Sequence, residues 1–201
     1  MSRQWVVVFD LGNVLVRFRP DQDLAGLYDP AEADFLLEAV FRSQEWVALD
    51  RGTLTDAQAT AKLCARHPGR EDLIHDAMCR RQELLTPIPE SVALLEPLSR
   101  RGHRLLYLSN YHASLFAIAR REFGFLDLFE GGLISSHVGL LKPEPAIYRL
   151  LLEHWELSPE RTLFIDDSPE NVVGARRCGI HAVHLPHPSG LAGVLAEQEL
   201  L

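Results

Sequence analysis

The sequence predicts an α/β protein, a Rossmann-like doubly wound parallel sheet with an all-helical cap inserted after the first strand. Three observations carry that expectation. The apolar run "WVVVFD" suits a central strand buried on both faces. Residues 18–86 are helical in pattern and poor in β-branched runs. From residue 87 onward, strand-like and helix-like segments alternate, as they do in successive βα units. The expected division is a catalytic core of residues 1–17 and 87–201, with a cap of residues 18–86.

Each element has a local cause. In the cap, "DPAEADFLLEAVF" opens with Asp29 as N-cap, Pro30 at the first helical position and Glu32 reaching back. "TDAQATAKLCARHPG" repeats the device with Thr55 and Gln58 and stops at Pro68-Gly69. "EDLIHDAMCRRQELL" is a third helix, closed by "TPIP". In the core, "SVALLEPLSRRG" reads as a helix kinked by Pro97, and "HRLLYLSN" as the next strand. There follow helix "ASLFAIARREF", strand "GLISS", helix "EPAIYRLLLEHW", strand "RTLFIDD", helix "PENVVGARRCG" and strand "IHAVHL".

Bulk composition narrows the partners. With 201 residues, 47% hydrophobic and 24% charged, the chain can build a core without disulfide or metal staples. A formal charge of −8 argues against a nucleic-acid backbone or an anionic membrane as the main partner, while leaving room for a local anion site. Cys64, Cys79 and Cys178 are scattered and odd in number, which reads as reduced thiols. No apolar run approaches a membrane span, and Trp5 to Phe9 is too short for a signal-peptide core. The expectation is a cytoplasmic protein, a monomer or homodimer.

Several of these strands end on polar residues: Asp10, then Ser109-Asn110, then Asp166-Asp167. In parallel sheets the ligand crevice lies at the carboxyl ends of the strands, so these residues should meet there. Lys142, fixed between Leu141 and Pro143, should reach the same rim. Carboxylates without a His or Cys cluster suit a hard cation such as Mg²⁺. A cation, a lysine and a hydroxyl around one carboxylate form a phosphate-shaped pocket, because an unscreened carboxylate would be repelled by an anionic phosphate. Taken singly, each residue has a plainer reading: a strand-end solvent contact, a turn, a surface lysine, a helix N-cap at Asp167 or Ser168. Their order along the chain favours the site.

Asp10 in "FDLGNV", Ser109 in "LSN", Lys142 in "LKPEPAIY" and the run "IDDSPENV" together resemble the haloacid dehalogenase-like hydrolase superfamily, over essentially the whole chain. With "LDRGTLT", the sequence looks most like the sugar-phosphatase branch typified by α-D-glucose-1-phosphatase. The resemblance implies a phosphatase acting on a small phosphorylated metabolite with Mg²⁺. Asp10 would be the nucleophile, and Ser109 and the backbone of Asn110 would hold phosphoryl oxygens. Lys142 would pair with Asp10 and the phosphate. Asp10, Asp166, Asp167 and the carbonyl of Gly12 would hold the metal, with Asn171 orienting the carboxylates.

One departure stands out. Most phosphatases of the superfamily carry a second aspartate two residues after the nucleophile, as general acid and base; here the residue is Gly12. Losing such help slows catalysis by roughly 10²–10⁴-fold and penalises poor leaving groups most, which points to a sugar-1-phosphate or similar activated ester. The alternatives are a 2-haloacid dehalogenase-type hydrolase and a catalytically silent phosphate binder. In the cap, Glu45, Trp46 and Arg51 are expected to contribute to specificity, with Arg17 and Phe18 near its mouth. His181, His184 and His187 recur every third residue, but in a strand neighbours at that spacing point apart, which argues against a metal site.

Overall fold

The computed structural model describes residues 4–201. Its main sheet has five parallel strands, β1 (Val6–Phe9), β4 (Arg104–Ser109), β5 (Gly131–Ile134), β6 (Thr162–Asp166) and β7 (His181–His184). They are ordered β5-β4-β1-β6-β7, so the chain reverses direction across the sheet on either side of the first strand. β1 is central, as its unbroken apolar run requires. Val7 and Phe9 belong to one hydrophobic cluster and Val8 to the other, on opposite faces.

The segment after β1 is helical: α1 (Pro20–Asp23), α2 (Pro30–Leu36), α3 (Gln44–Arg51), α4 (Asp56–Arg66) and α5 (Glu71–Arg80). The chain leaves and re-enters the core through a short antiparallel pair, β2 (Val16–Arg17) with β3 (Thr86–Pro87). Local signals act as the sequence suggests. Asp29 accepts from the Glu32 N–H, and Thr55 and Gln58 form a reciprocal capping box. A π-helical turn at Leu37–Phe41, which the sequence pattern does not announce, brings Phe41 against Trp46, with ring centroids 4.7 Å apart.

The core helices are α6 (Pro89–Val92), α7 (Leu95–Arg100), α8 (Ala113–Glu122), α9 (Ser135–Val138), α10 (Pro145–His154), α11 (Pro169–Arg177) and α12 (Leu191–Glu197). The gap between α6 and α7 is the expected effect of Pro97. Lacking an N–H, it cannot bond the Ala93 carbonyl, and regular helix stops there. Ile147, Tyr148 and Leu151 of α10, with Val172 and Ala175 of α11, cover one face of the sheet. Side chains of α7, α8 and α12 cover the other, and the cap's Leu36, Val40, Trp46, Leu49, Leu63 and Ile74 continue that cluster. The cap therefore sits on the core through shared apolar packing. No helix among the described residues is long and apolar enough to cross a membrane.

Candidate active site

Parallel register assembles the site. Phe9 pairs with both Tyr107 and Ile165, which brings Asp10 level with Asp166 across β1 and β6. The Asp10 N–H closes this alignment by donating to the Ile165 carbonyl at 2.9 Å. Ser109 ends β4 at the same rim, and its hydroxyl donates to Asp10 Oδ1 at 2.8 Å. The Leu11 N–H donates to that oxygen at 2.7 Å, and Lys142 Nζ lies 3.0 Å from it. Among the described residues, these contacts all fall on Oδ1. Oδ2 carries none of them.

Lys142 is buried, with Nζ also donating to Asp166 Oδ2 at 2.6 Å. Two features of the sequence put it there. Its N–H donates to Asn110 Oδ1 at 2.9 Å, while Asn110 Nδ2 donates back to the Lys142 carbonyl at 3.0 Å. The side chain of Asn110 is thus occupied in locking the lysine loop, and only its backbone is available to a ligand. Gly174 in α11 contributes from below, since a β-carbon there would lie 2.8 Å from the Pro143 carbonyl. Sequence reading missed Gly174; a lone helical glycine facing a conformationally fixed X-Pro loop is the only signal it gives.

Asp166 is fully buried and hydrogen-bonded through both oxygens. Its Oδ1 accepts from the Ser168 N–H at 2.8 Å and from Asn171 Nδ2 at 3.0 Å, and Oδ2 accepts from Asn171 at 3.1 Å as well as from Lys142. Asp167, just beyond the strand, is more open. Ser168, not Asp167, caps α11 by accepting from the Asn171 N–H. Burial holds the Asp10 carboxyl above its ordinary pKa, with Asp166 and Asp167 adding to the rise and Lys142 opposing it. Asp167 is raised by burial and then by Asp166. Lys142 loses to desolvation but gains more from Asp10 and Asp166, so its pKa rises and it stays charged.

Asp10, Asp166 and Asp167 offer one oxygen each within 4.8 Å of one another, and among the described residues they are the one such cluster of potential metal ligands. One ammonium group against three carboxylates leaves excess negative charge, and all-oxygen donors fit a hard divalent cation. His181, His184 and His187 form no such group; His184 faces the Asp167 carbonyl and His181 faces Gln198.

Above the rim lies a pocket of about 120 Å³ lined by Gly12, Val16, Phe18, Trp46, Asp50, Leu85, Asn110, Tyr111, His112 and Leu115. Of the residues expected at the cap, Trp46 and Phe18 reach it, stacked at 5.8 Å and 11°. The others do not. Glu45 is buried against Arg66 at 2.5 Å, and the Arg51 guanidinium binds Glu144 at 2.5 and 3.2 Å and the Gly139 carbonyl, bridging cap to core. Arg17 pairs with Asp23 at the surface. Asp50 and His112, which the sequence reading passed over as site residues, are in the pocket instead.

Fold and site together define a Rossmann-type hydrolase scaffold that presents a strand-end carboxylate beneath a helical cap. The chain belongs to the haloacid dehalogenase-like hydrolase family, whose match spans residues 6–179. It is 28% identical over 181 residues to a sesquiterpene phosphatase of Aspergillus oryzae, covering 89% of this chain and 88% of that one. It is also 22% identical over 132 residues to an (S)-2-haloacid dehalogenase of Burkholderia cepacia, covering 66% and 57% of the two. The fold is shared with a haloacid dehalogenase family enzyme of Bacteroides thetaiotaomicron solved with magnesium and inorganic phosphate. That likeness has a TM-score of 0.72 at 22% identity, over 90% of this chain and 94% of that one.

Proposed function

We propose that this hydrolase is a Mg²⁺-dependent phosphatase that cleaves a small phosphorylated metabolite through an aspartyl phosphate on Asp10. The observation that carries the reading is the acidic cluster. A carboxylate that attacks carbon needs no cation, whereas three carboxylates around one lysine suit a site that must screen an incoming phosphate. When held by Asp10, Asp166, Asp167 and the Gly12 carbonyl, the cation would neutralise charge on the phosphoryl oxygens.

The chain's own groups do the rest. Lys142 holds Asp10 in place through Oδ1 and adds positive charge beside the phosphate. Ser109 and the Asn110 backbone receive phosphoryl oxygens, Asn171 fixes Asp166, and Asp10 attacks in line.

For the alcohol portion, the reading is a sugar-1-phosphate or another small ester with an activated leaving group. The stacked Phe18 and Trp46 offer an apolar face, and the Tyr111 hydroxyl and His112 ring in the same wall have no hydrogen-bond partner among the described residues. That mixture suits a small hydroxylated ring. The pocket, about 120 Å³ and below the roughly 300–1,000 Å³ of drug-sized ligand sites, favours a compact group at this wall. A panel with Mg²⁺ tests this, using glucose-1-phosphate, p-nitrophenyl phosphate, farnesyl phosphate and 2-chloropropionate against wild type and Asp10→Asn. Phosphate release from the first two, lost in the variant by about 10⁴-fold or more, is expected. Chloride release, or equal inertness of both proteins, would contradict the proposal.

A further inference from the structure

The missing acid at position 12 has a candidate replacement on the cap. Asp50 lies in the last turn of α3, the helix whose side chains form the roof of the pocket, and it lines the same cavity as Gly12 and Asn110. It is the only carboxylic acid among the pocket-lining residues. Its side chain is 20% exposed, and among the described residues it takes part in no hydrogen bond. His112 Nε2 lies 3.3 Å from Oδ1 without hydrogen-bond geometry, and the ring, 2% exposed, has both nitrogens unpartnered. A half-buried acid and a buried imidazole without hydrogen bonds, in one cavity above the strand-end rim, are costly unless a ligand uses them.

The backbone holds Asp50 on the core rather than letting it ride with a loose cap. The Ser135 hydroxyl donates to the Asp50 carbonyl at 2.5 Å and itself accepts from the Tyr111 N–H at 2.9 Å. Two residues on, Gly52 ends α3 with φ +74°, and a β-carbon there would lie 2.2 Å from the Ser136 carbonyl oxygen. A cap residue is thereby fixed to the core by contacts to α9. A proton donor has to be placed in this way, since misplacement by about 1 Å can cost on the order of 10²-fold.

We infer that Asp50 is the general acid and base of this site, acting from the cap in the place left open at Gly12. As Asp10 Oδ2 bonds to phosphorus, the bond from phosphorus to the alcohol oxygen breaks, and that oxygen takes the Asp50 proton and leaves as the alcohol. Asp50, now a carboxylate, accepts a proton from the water whose oxygen attacks the aspartyl phosphate. The phosphorus–Asp10 bond breaks, phosphate departs, and both side chains return to their starting states. Asp10, Lys142, Tyr111 and His112 are the titratable groups facing Asp50. Burial, then the charge of Asp10, pushes its carboxyl up to about 7 against the pull of Lys142, so protonated and ionised forms are both accessible near neutrality.

This inference rests on the phosphatase reading, and the experiment separates the two. Wild type and Asp50→Asn are compared with Mg²⁺ on phenyl phosphate and p-nitrophenyl phosphate, by steady-state and rapid-mixing kinetics, with melting curves to check folding. For the variant, kcat/KM on phenyl phosphate falls about 10²–10⁴-fold, and less on p-nitrophenyl phosphate, whose leaving group needs no proton. With p-nitrophenyl phosphate it also shows a burst of nitrophenol, because the second step has lost its base. A carboxyl at position 12 has open space, with nothing within 4 Å of a β-carbon there, so Gly12→Asp combined with Asp50→Asn regains activity on phenyl phosphate. Equal losses on both esters without a burst, or no loss at all, overturn the role of Asp50 while leaving the phosphatase standing. An inert wild type sinks both.

Discussion

Two polar clusters share one crevice and are built by opposite rules. At the sheet rim, Asp10 Oδ1, Lys142 and Asp166 are saturated: each is held by two or more short contacts from different elements. Above it, on the cap side, the His112 ring and the Tyr111 hydroxyl are buried and Asp50 is half-buried, and none of the three side chains makes a hydrogen bond among the described residues. The first arrangement fixes charges in advance of any substrate, as electrostatic preorganisation requires. The second leaves polar groups to be completed by whatever enters. On the proposed reading, the first cluster is the reaction centre and the second meets the part of the substrate that departs.

Breaking the saturated cluster should have the largest effect. Lys142→Met leaves Asp10 and Asp166 buried without their cation, and loss of one partner of a buried ion pair costs about 3–5 kcal/mol. Urea unfolding should show a clearly lower midpoint with an unchanged slope. Phosphatase activity should fall to background, and Mg²⁺ should recover part of the stability. A variant as stable as wild type would mean that the rim is not the charged assembly described here.

Displacing the second cluster should cost less of both stability and activity. Gly52→Ala puts a side chain at a left-handed φ and against the Ser136 carbonyl, a strain of about 1–3 kcal/mol that moves the end of α3. The control is Gly69→Ala, also at positive φ (+84°) but with open space around it and distant from the pocket. Turnover should drop by up to about 10²-fold for the first and stay level for the second, although both lower the melting temperature. Equal activities would show that the cap end of α3 plays no positional part.

The smallest effects are the proton linkages, which run in opposite directions in the same cluster. Burial, then Arg81, lowers His112 to about 4, so the folded state refuses a proton that the unfolded chain binds from about 6.5 downward. Wild type therefore loses stability as pH falls from about 6.5 to 4, and His112→Gln should flatten that limb of the melting curve. Asp50, raised to about 7, keeps a proton that the unfolded chain releases. Its contribution is present below about 4 and is lost as pH rises to about 7, so Asp50→Asn should gain relative stability over that window, at about 2–4 °C per kcal/mol. Parallel curves for wild type and both variants would contradict these linkages.

The saturated cluster was legible in the sequence because strand ends in a parallel sheet converge by topology alone. Asp10, Ser109 and Asp166 each close a strand, and Asn171 follows Asp166 into a helix whose first turn faces back. Pro97, Asp29 and Thr55 likewise acted through local rules that need no neighbours. The pocket was not legible in this way. Glu45, Trp46 and Arg51 lie within one helix, and nothing in their spacing says which faces the crevice; the answer depends on how α3 docks on α9. Trp46 turned to the pocket, Glu45 to Arg66 and Arg51 to Glu144. Asp50 was hidden for the same reason.

The central claim is that the phosphoryl group passes through the carboxylate at the end of β1. The direct measurement is acid quench of the enzyme during turnover of p-nitrophenyl phosphate with Mg²⁺, followed by borohydride reduction and peptide mass spectrometry. An aspartyl phosphate is reduced to homoserine, so the account predicts homoserine at position 10 in wild type, more of it in Asp50→Asn, and none without substrate. Turnover with Asp10 unreduced, or homoserine at another acidic position, would contradict it.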